Sequence, residues 1–166
     1  MAALDELLTR DVLSVAEELI GWKLVSTVGG VRTAVQISET EAYAGADDPA
    51  SHAFRGRTRR NQVMFEGAGL LYVYRSYGIH WCMNVVVGEE NLPHAVLLRG
   101  GVPLVGRQTM VERRGRRTNL SDGPGKLCQA MGVTGEHDGV DPVSYTPLRA
   151  HETTSLISYA VFCLTR

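Results

Sequence analysis

The sequence has no run of about 20 consecutive apolar residues, the length that a membrane-spanning helix requires, so we expect no membrane association. No residue type dominates and no short period repeats, which excludes collagen-like and low-complexity classes. The three cysteines, Cys82, Cys128 and Cys163, are odd in number and far apart, which argues against a disulfide framework and a Cys-x-x-Cys zinc site. The acidic N-terminus lacks the basic and apolar regions of a signal peptide, and we expect a cytoplasmic protein.

Lysine is also scarce, because arginine supplies 15 of the 17 basic side chains. The formal net charge of −1 conceals an asymmetry along the chain. Residues 1–54 carry a net charge of −6, residues 55–117 carry +7, and residues 118–166 carry −2. Arginine binds phosphate through a planar, bidentate fork, so the basic middle third is consistent with a nucleic-acid surface. The alternative is solvated surface with the arginine bias of a GC-rich coding sequence.

Hydrophobic periodicity predicts one mixed α+β domain up to residue 142. Asp11 and Gly21 are residue types that begin and end helices, and the apolar stripe between them predicts a helix over 11–20. Short helices are predicted over 106–114 and 124–131, and strands over 23–28, 31–43, 70–75, 79–87 and 95–99. Strands 70–75 and 79–87 are expected to form an antiparallel hairpin. Gly100, Gly101 and Pro103 are expected to end the last strand.

Two glutamates stand out in the strand predicted over 31–43. Strict alternation places Glu39 and Glu41 on the same face as Val35 and Ile37, about 7 Å apart. Charge that continues an apolar row is unusual, and such a carboxylate facing a pocket can serve as a general base. The alternative is a strand end whose glutamates are simply solvated.

Three tyrosines surround the predicted hairpin. Tyr72 and Tyr74 share a face, and for either one alone core packing is the simpler interpretation. Tyr77 lies in the turn, where a hydrophobic ring has little reason to be. A protruding turn aromatic is a candidate for a wedge between DNA bases.

The remaining polar candidates are His52, in a loop before an arginine cluster, and Asn84, inside an apolar strand where it needs a partner or a purpose. His52, His80 and His94 have no metal-site spacing, so we expect no metal. The segment 123–126 lacks the spacing of a phosphate-binding P-loop, which argues against nucleotide hydrolysis.

Taken in order, these segments resemble the alkyladenine (3-methyladenine) DNA glycosylase family. The resemblance runs from about residue 5 to residue 142 and rests on seven blocks in register. They include RDVLSVAEELIG at 10–21, ETEAY at 39–43, RRN at 59–61, LYVYRSYGIHWCMN at 71–84, VLLR at 96–99 and GPGKLCQA at 123–130.

The resemblance implies a curved, mainly antiparallel sheet with flanking helices and a protruding β-hairpin. It also implies an enzyme that flips a damaged purine out of duplex DNA and hydrolyses its N-glycosidic bond, as a monomer and without a cofactor. Glu41 would be the general base, and Tyr43, His52 and Tyr74 would contact the flipped base. The other implied roles are exclusion of guanine by Asn84, intercalation by Tyr77, and DNA-backbone contacts by Arg99, Arg59 and Arg60.

Two other functions stay open at this point. A catalytically silent nucleic-acid-binding module would use the same basic surface without cleaving the glycosidic bond. A carbohydrate hydrolase would use Glu39 and Glu41, although its two carboxylates normally come from separate elements on either side of a sugar.

The last 24 residues, 143–166, depart from this resemblance and resemble a translated sequencing adapter. We therefore expect a glycosylase domain over 1–142 that is incomplete at its C-terminus, followed by a non-native tail. A domain without its last strands has unpaired edge groups, so we expect the 166-residue chain to be poorly soluble or weakly active. The alternative is a lineage-specific terminus.

Overall fold

A computed structural model describes the backbone of residues 2–141 and 161–166, and the side chains of residues 4–141 and 163–166. The helices are α1 (Ala2–Leu8), α2 (Val12–Glu18), α3 (Arg107–Arg114) and α4 (Pro124–Met131). The strands are β1 (Lys23–Val28), β2 (Val31–Tyr43), β3 (Leu71–Ser76), β4 (His80–Val87), β5 (His94–Val105) and β6 (Val161–Thr165). Short 3-10 turns cover Gly45–Asp47, Gln62–Phe65 and Gly135–His137. No helix among the described residues is long and apolar enough to cross a membrane.

The described strands form one antiparallel sheet in the order β3-β4-β5-β2-β1-β6, which confirms the predicted α+β class. The helix starts follow the predicted chemistry. The Asp11 carboxylate caps α2 by accepting a hydrogen bond of 2.9 Å from the backbone N–H of Ser14. Pro124 opens α4, where its missing N–H costs no helical hydrogen bond.

The sheet separates two apolar clusters. The larger lies under the helices and includes Val15 of α2, Leu19 directly after that helix, Ile37 of β2 and Leu127 of α4. The smaller covers the opposite face and consists of Ala53, Val63, Met64, Tyr72, Val86 and Ala95. Both faces of the sheet are therefore covered by apolar side chains, and the smaller cluster borders the pocket described below.

β5 does not end at the glycines, so that prediction was wrong. It continues through Gly100, Gly101 and Pro103 to Val105. Gly101 is required by packing, because a Cβ there would lie 2.7 Å from Cγ2 of Val35 on the neighbouring strand. Pro103 lies at a register shift between β2 and β5, a bulge position at which a strand tolerates the missing N–H.

A second irregularity corrects the predicted placement of the glutamates. The β2–β5 register shifts twice between Ile37 and Thr40, and this β-bulge exchanges the faces of the strand. Beyond it, Thr40 donates a 2.8 Å hydrogen bond to the Ala16 carbonyl in α2, and Ala42 packs against the larger core. Glu39, Glu41 and Tyr43 therefore lie on the opposite face, toward the smaller cluster, and do not continue the row of Val35 and Ile37.

The C-terminal segment is described only in part. Residues 142–160, which include most of the predicted non-native tail, lie outside the described residues. Residues 161–165 form β6, which pairs antiparallel with β1, and Leu164 is buried in the larger core. The end of the chain thus contributes an edge strand, while the origin of residues 143–166 stays a prediction.

Candidate active site

A pocket opens on the face of the sheet that carries the smaller cluster. Strands β2 to β5 each supply side chains to it, and the loop after β2 supplies the rest. Its lining residues are Tyr43, Ala50, Ser51, His52, Met64, Tyr72, Tyr74, Asn84 and Ala95. Four residues predicted to form the base pocket, Tyr43, His52, Tyr74 and Asn84, are therefore brought together.

Aromatic rings form the walls of this pocket. The rings of His52 and Tyr74 are 4.4 Å apart at 78°, and those of Tyr72 and Tyr74 are 5.5 Å apart at 26°. His52 Nδ1 and the Tyr72 hydroxyl are joined by a 2.9 Å hydrogen bond. Sequence reasoning left Tyr72 out of the site, although it shares a face with Tyr74. Such a cluster presents ring faces and edges against which a flat heterocycle can stack.

The lining is electrically neutral near pH 7. Burial lowers the pKa of His52 below its ordinary 6.5, and the charge of Arg60 adds to the effect. Burial raises the pKa of Tyr43 to about 12, with the hydrogen bond to Glu41 as the next cause. Burial also raises the pKa of Tyr72 to about 12 and that of Tyr74 still further. The imidazole and the phenols are consequently uncharged, so the π faces carry the interaction with a ligand.

Asn84 has the hydrogen-bond partner that a polar side chain in an apolar strand requires. It is buried opposite Tyr72 in the β3–β4 pairing, and its Nδ2 donates a 3.0 Å hydrogen bond to the Tyr72 carbonyl. The side-chain amide is thus fixed in orientation at the pocket wall.

Glu41 lies beside the pocket and is joined to it through Tyr43. Its Oε1 accepts a 2.9 Å hydrogen bond from the Tyr43 hydroxyl, and its Oε2 accepts one from Nη1 of Arg99. Nε of the same arginine donates to Oε1 of Glu39 at 2.8 Å. The Glu41 side chain is 41% exposed, so a water molecule can reach it. Arg99, predicted to contact the DNA backbone, here bridges the two carboxylates.

Arginines of the loop before β3 lie near the pocket mouth. The Arg60 guanidinium is 5.8 Å from the centre of the Tyr74 ring and donates a 3.2 Å hydrogen bond to the Arg75 carbonyl. Arg57 lies 5.6 Å from the centre of the Phe65 ring, and Arg59 is exposed. Positive charge therefore borders the aromatic pocket on this side.

Asn61 holds that loop in shape and is a second residue whose role sequence reasoning missed. Its Oδ1 accepts hydrogen bonds from the N–H and the hydroxyl of Thr58, at 2.6 and 2.9 Å. Its Nδ2 donates to the carbonyls of His52 and Gly56, at 2.9 and 3.0 Å. An asparagine directly after an arginine cluster was the available signal, because Asn side chains commonly bond to neighbouring backbone.

Tyr77 protrudes at the tip of the β3–β4 hairpin, outside the pocket. It is 96% exposed, and its φ of 49° is followed by a φ of 69° at Gly78. The Ile79 N–H donates a 3.0 Å hydrogen bond to the Ser76 carbonyl across the turn. Positive φ at both central residues is typical of a type I′ turn, which favours Asn-Gly. A tyrosine in this conformation is strained and gains no packing in return.

No group of three or more His, Cys, Asp or Glu side chains that could hold a metal ion occurs among the residues that the structure describes.

Comparison with known proteins shows which family the chain is similar to. The family described as Methylpurine-DNA glycosylase (MPG) matches residues 6–163. A protein of Agrobacterium fabrum named "Putative 3-methyladenine DNA glycosylase" is 52% identical over 154 residues, which are 90% of this chain and 75% of that relative. Proteins of the same name from Chlamydia pneumoniae and Natranaerobius thermophilus are 46% and 39% identical. These alignments cover 79% and 94% of this chain, and 69% and 81% of the relatives.

The chain belongs to the methylpurine-DNA glycosylase family.

The resemblance drawn from the motifs is thereby confirmed, and the protein is a DNA glycosylase, an enzyme of DNA repair whose substrate is DNA. The family match includes every residue of the aromatic pocket, the two glutamates, Arg99 and the Tyr77 hairpin. It also extends to residue 163, past Pro142 where the resemblance was expected to end.

Proposed function

We propose that this glycosylase flips alkylated or deaminated purines out of duplex DNA and hydrolyses their N-glycosidic bond with a water molecule that Glu41 activates. Its lesions would be 3-methyladenine, 7-methylguanine, hypoxanthine and ethenoadenine. It would act as a monomer and without a metal ion. The observation that carries the proposal is the carboxylate of Glu41 hydrogen-bonded to Tyr43, a wall of the aromatic pocket.

The neutral aromatic lining suits a damaged purine. N3- or N7-alkylated purines carry positive charge, and cations bind favourably over electron-rich rings. The rings of Tyr43, His52 and Tyr74 would stack on or contact the flipped base. An alkylated purine is also a good leaving group, so recognition by stacking does not need strong acid catalysis.

Glu41 would accept a proton from the water molecule as its oxygen attacks C1′ of the sugar. The N-glycosidic bond breaks in the same process, and its electron pair leaves with the purine. The negative charge of the carboxylate also stabilises the oxocarbenium-like charge at C1′. Hydrogen bonds from Tyr43 and Arg99 fix both oxygens of Glu41, which positions the base for this step.

Asn84 would exclude undamaged guanine. Its amide is held against the Tyr72 carbonyl in a buried position, so the pocket wall cannot easily retreat from the exocyclic amine of guanine. A fixed polar side chain discriminates through the cost of a poorly placed group.

The DNA duplex would contact the arginine loop and the hairpin. Arg59 and Arg60 would bind phosphates, and Tyr77 would fill the space left by the flipped nucleotide. Arg99 uses two of its N–H groups on the glutamates, and the remaining N–H groups of the guanidinium can contact the nucleotide backbone.

The test is release of the base from duplex oligonucleotides that each carry one of the four lesions, with abasic product as the readout. Glu41→Gln keeps the shape of the side chain and removes its basicity, so we expect it to lower the single-turnover rate by about 10²–10⁴-fold. Binding of damaged duplex should persist in this variant. Equal activity in both proteins would remove Glu41 from its role. Binding by the wild-type protein without abasic product would favour a silent DNA-binding module.

A further inference from the structure

Glu39 shares Arg99 with Glu41, but the proposed function gives Glu39 no role. The β-bulge places both glutamates on the pocket face, and Arg99 lies between them on the neighbouring strand. Glu39 is bonded through Nε of the arginine and Glu41 through Nη1. One cation is therefore divided between two carboxylates.

The contact with Glu39 orients the arginine. The pKa of Arg99 is raised above its ordinary value, and the hydrogen bond to Glu39 is the largest cause, ahead of the charge of Glu41. The bond at Nε also fixes the rotation of the guanidinium. With Nε engaged, the arginine offers Glu41 a single N–H instead of the bidentate fork of a full Arg–carboxylate pair.

This division matters for a general base. A nearby guanidinium favours the charged form of a carboxylate, whereas a second nearby carboxylate disfavours it. We propose that Glu39 is a positioning residue that holds Arg99, so that the charge of the arginine is shared and does not rest on Glu41 alone when Glu41 activates water. The inference rests on the proposed function, because it assigns Glu39 a task in the same reaction.

Other ionisable groups surround this pair. Burial raises the pKa of Tyr43 on β2, Tyr74 on β3 and Cys82 on β4. Burial lowers the pKa of His52, beyond Tyr74, below 6.5, so its protonation also falls on the acid side of a rate profile, and Asp48, after β2, adds charge near Tyr43. All of these groups are the same in every variant, so a difference between variants reports on the Glu39–Arg99–Glu41 set.

The experiment compares wild type with Glu39→Gln in single-turnover cleavage across pH, on the duplex whose lesion wild type excises fastest. Loss of the second carboxylate leaves the charge of Arg99 to Glu41 alone, and a guanidinium favours the charged form of a carboxylate beside it. We expect the acid limb of the rate profile to move down by about one pH unit. The plateau should fall by about threefold, as expected for a weaker base. DNA affinity should be unchanged or tighter, because a negative charge has been removed.

Two variants serve as controls. Glu39→Asp keeps the charge and should keep the wild-type acid limb. Glu17→Gln makes the same chemical change at an exposed position on α2, on the other side of the sheet, and should match wild type throughout. Thermal melting of each variant shows that it is folded.

An acid limb that stays in place, or moves up, in folded Glu39→Gln would overturn this inference. The same holds if Glu39→Asp behaves like Glu39→Gln. If wild type gives no abasic product from any lesion, the proposed function fails before the role of Glu39 is reached, so the two failures are distinguishable.

Discussion

The bond between His52 Nδ1 and the Tyr72 hydroxyl shows how much of this site depends on one atom. Tyr72 is almost completely buried, and its ring would serve equally well in a core. The hydroxyl turns it into a site residue, because it fixes the orientation of an imidazole that solvent reaches from the other side. Sequence patterns report the face on which a tyrosine lies, but they do not report the partner of its hydroxyl.

Tyr72→Phe isolates this bond, because it removes the hydroxyl and keeps the ring. We expect the free energy of unfolding to fall by about 0.5–1.5 kcal/mol, measured by denaturant titration. The released imidazole should lower kcat/KM for lesion excision by about 10-fold, the size of an effect of about 1.4 kcal/mol on the transition state. Affinity for undamaged duplex should not change. Wild-type kcat/KM in this variant would show that the orientation of His52 is set by stacking alone.

At the scale of elements, the β2–β5 pair determines which residues reach the site. The bulge after Ile37 requires close approach of the two backbones, and Gly101 permits that approach. The two glycines of β5 differ in this respect. A Cβ at Gly101 would lie 2.7 Å from Val35 Cγ2, whereas a Cβ at Gly100 would meet nothing nearer than 3.4 Å.

Gly101→Ala should therefore destabilise the protein by about 1–3 kcal/mol, as expected for overpacking between strands. Gly100→Ala, its matched control, should cost less than half as much. The measurement is the midpoint of thermal or urea unfolding for both variants. Equal effects at the two positions would mean that the clash at Val35 is relieved by a small movement of the strand.

The same pair of strands explains what sequence reasoning reached and what it missed. Helices α2, α3 and α4 were predicted because Asp11, Pro124 and the glycines that follow the helices act within one turn of chain, whereas α1 was missed. The pocket residues of β3 and β4 were placed on the correct face because the hairpin keeps its alternation. Alternation failed at Glu39 because the bulge forms where β2 pairs with Gly100 and Gly101 of β5, about 60 positions further along the chain. No local pattern contains that information.

At the scale of the whole molecule, the charge asymmetry of the sequence corresponds to a basic surface beside the pocket. The basic third of the chain includes the arginine loop beside the pocket and the hairpin that carries Tyr77. Arg113 belongs to the same third but is half-buried, and it donates a 3.1 Å hydrogen bond to the Ala130 carbonyl. Net charge along the sequence thus overstates the number of cations available to DNA.

Exposed arginines should make DNA binding strongly dependent on salt. Replacement of Arg59 and Arg60 by glutamine should reduce the slope of log K against log salt concentration by about one for each phosphate that is no longer bound. Affinity should fall equally for damaged and undamaged duplex, measured by fluorescence anisotropy from low to physiological salt. Replacement of Arg113, which is half-buried and hydrogen-bonded to the Ala130 carbonyl, is not a suitable control, whereas replacement of the exposed Arg10 on the opposite face is. An unchanged slope would place the phosphate-binding residues elsewhere.

The β-bulge divides β2 into a first half that is constrained by core packing and a second half that also carries residues of the site. Before the bulge, the strand contributes Val35 and Ile37 to the larger core, so these two positions are constrained by packing. From Glu39 onward, Glu39, Glu41 and Tyr43 face the pocket side and are constrained by their hydrogen bonds there. Thr40 and Ala42 still pack toward α2 and the larger core. Substitutions that tune the site can therefore accumulate at alternate positions of its second half without disturbing the first. The irregularity gives the enzyme a region in which activity can vary independently of folding.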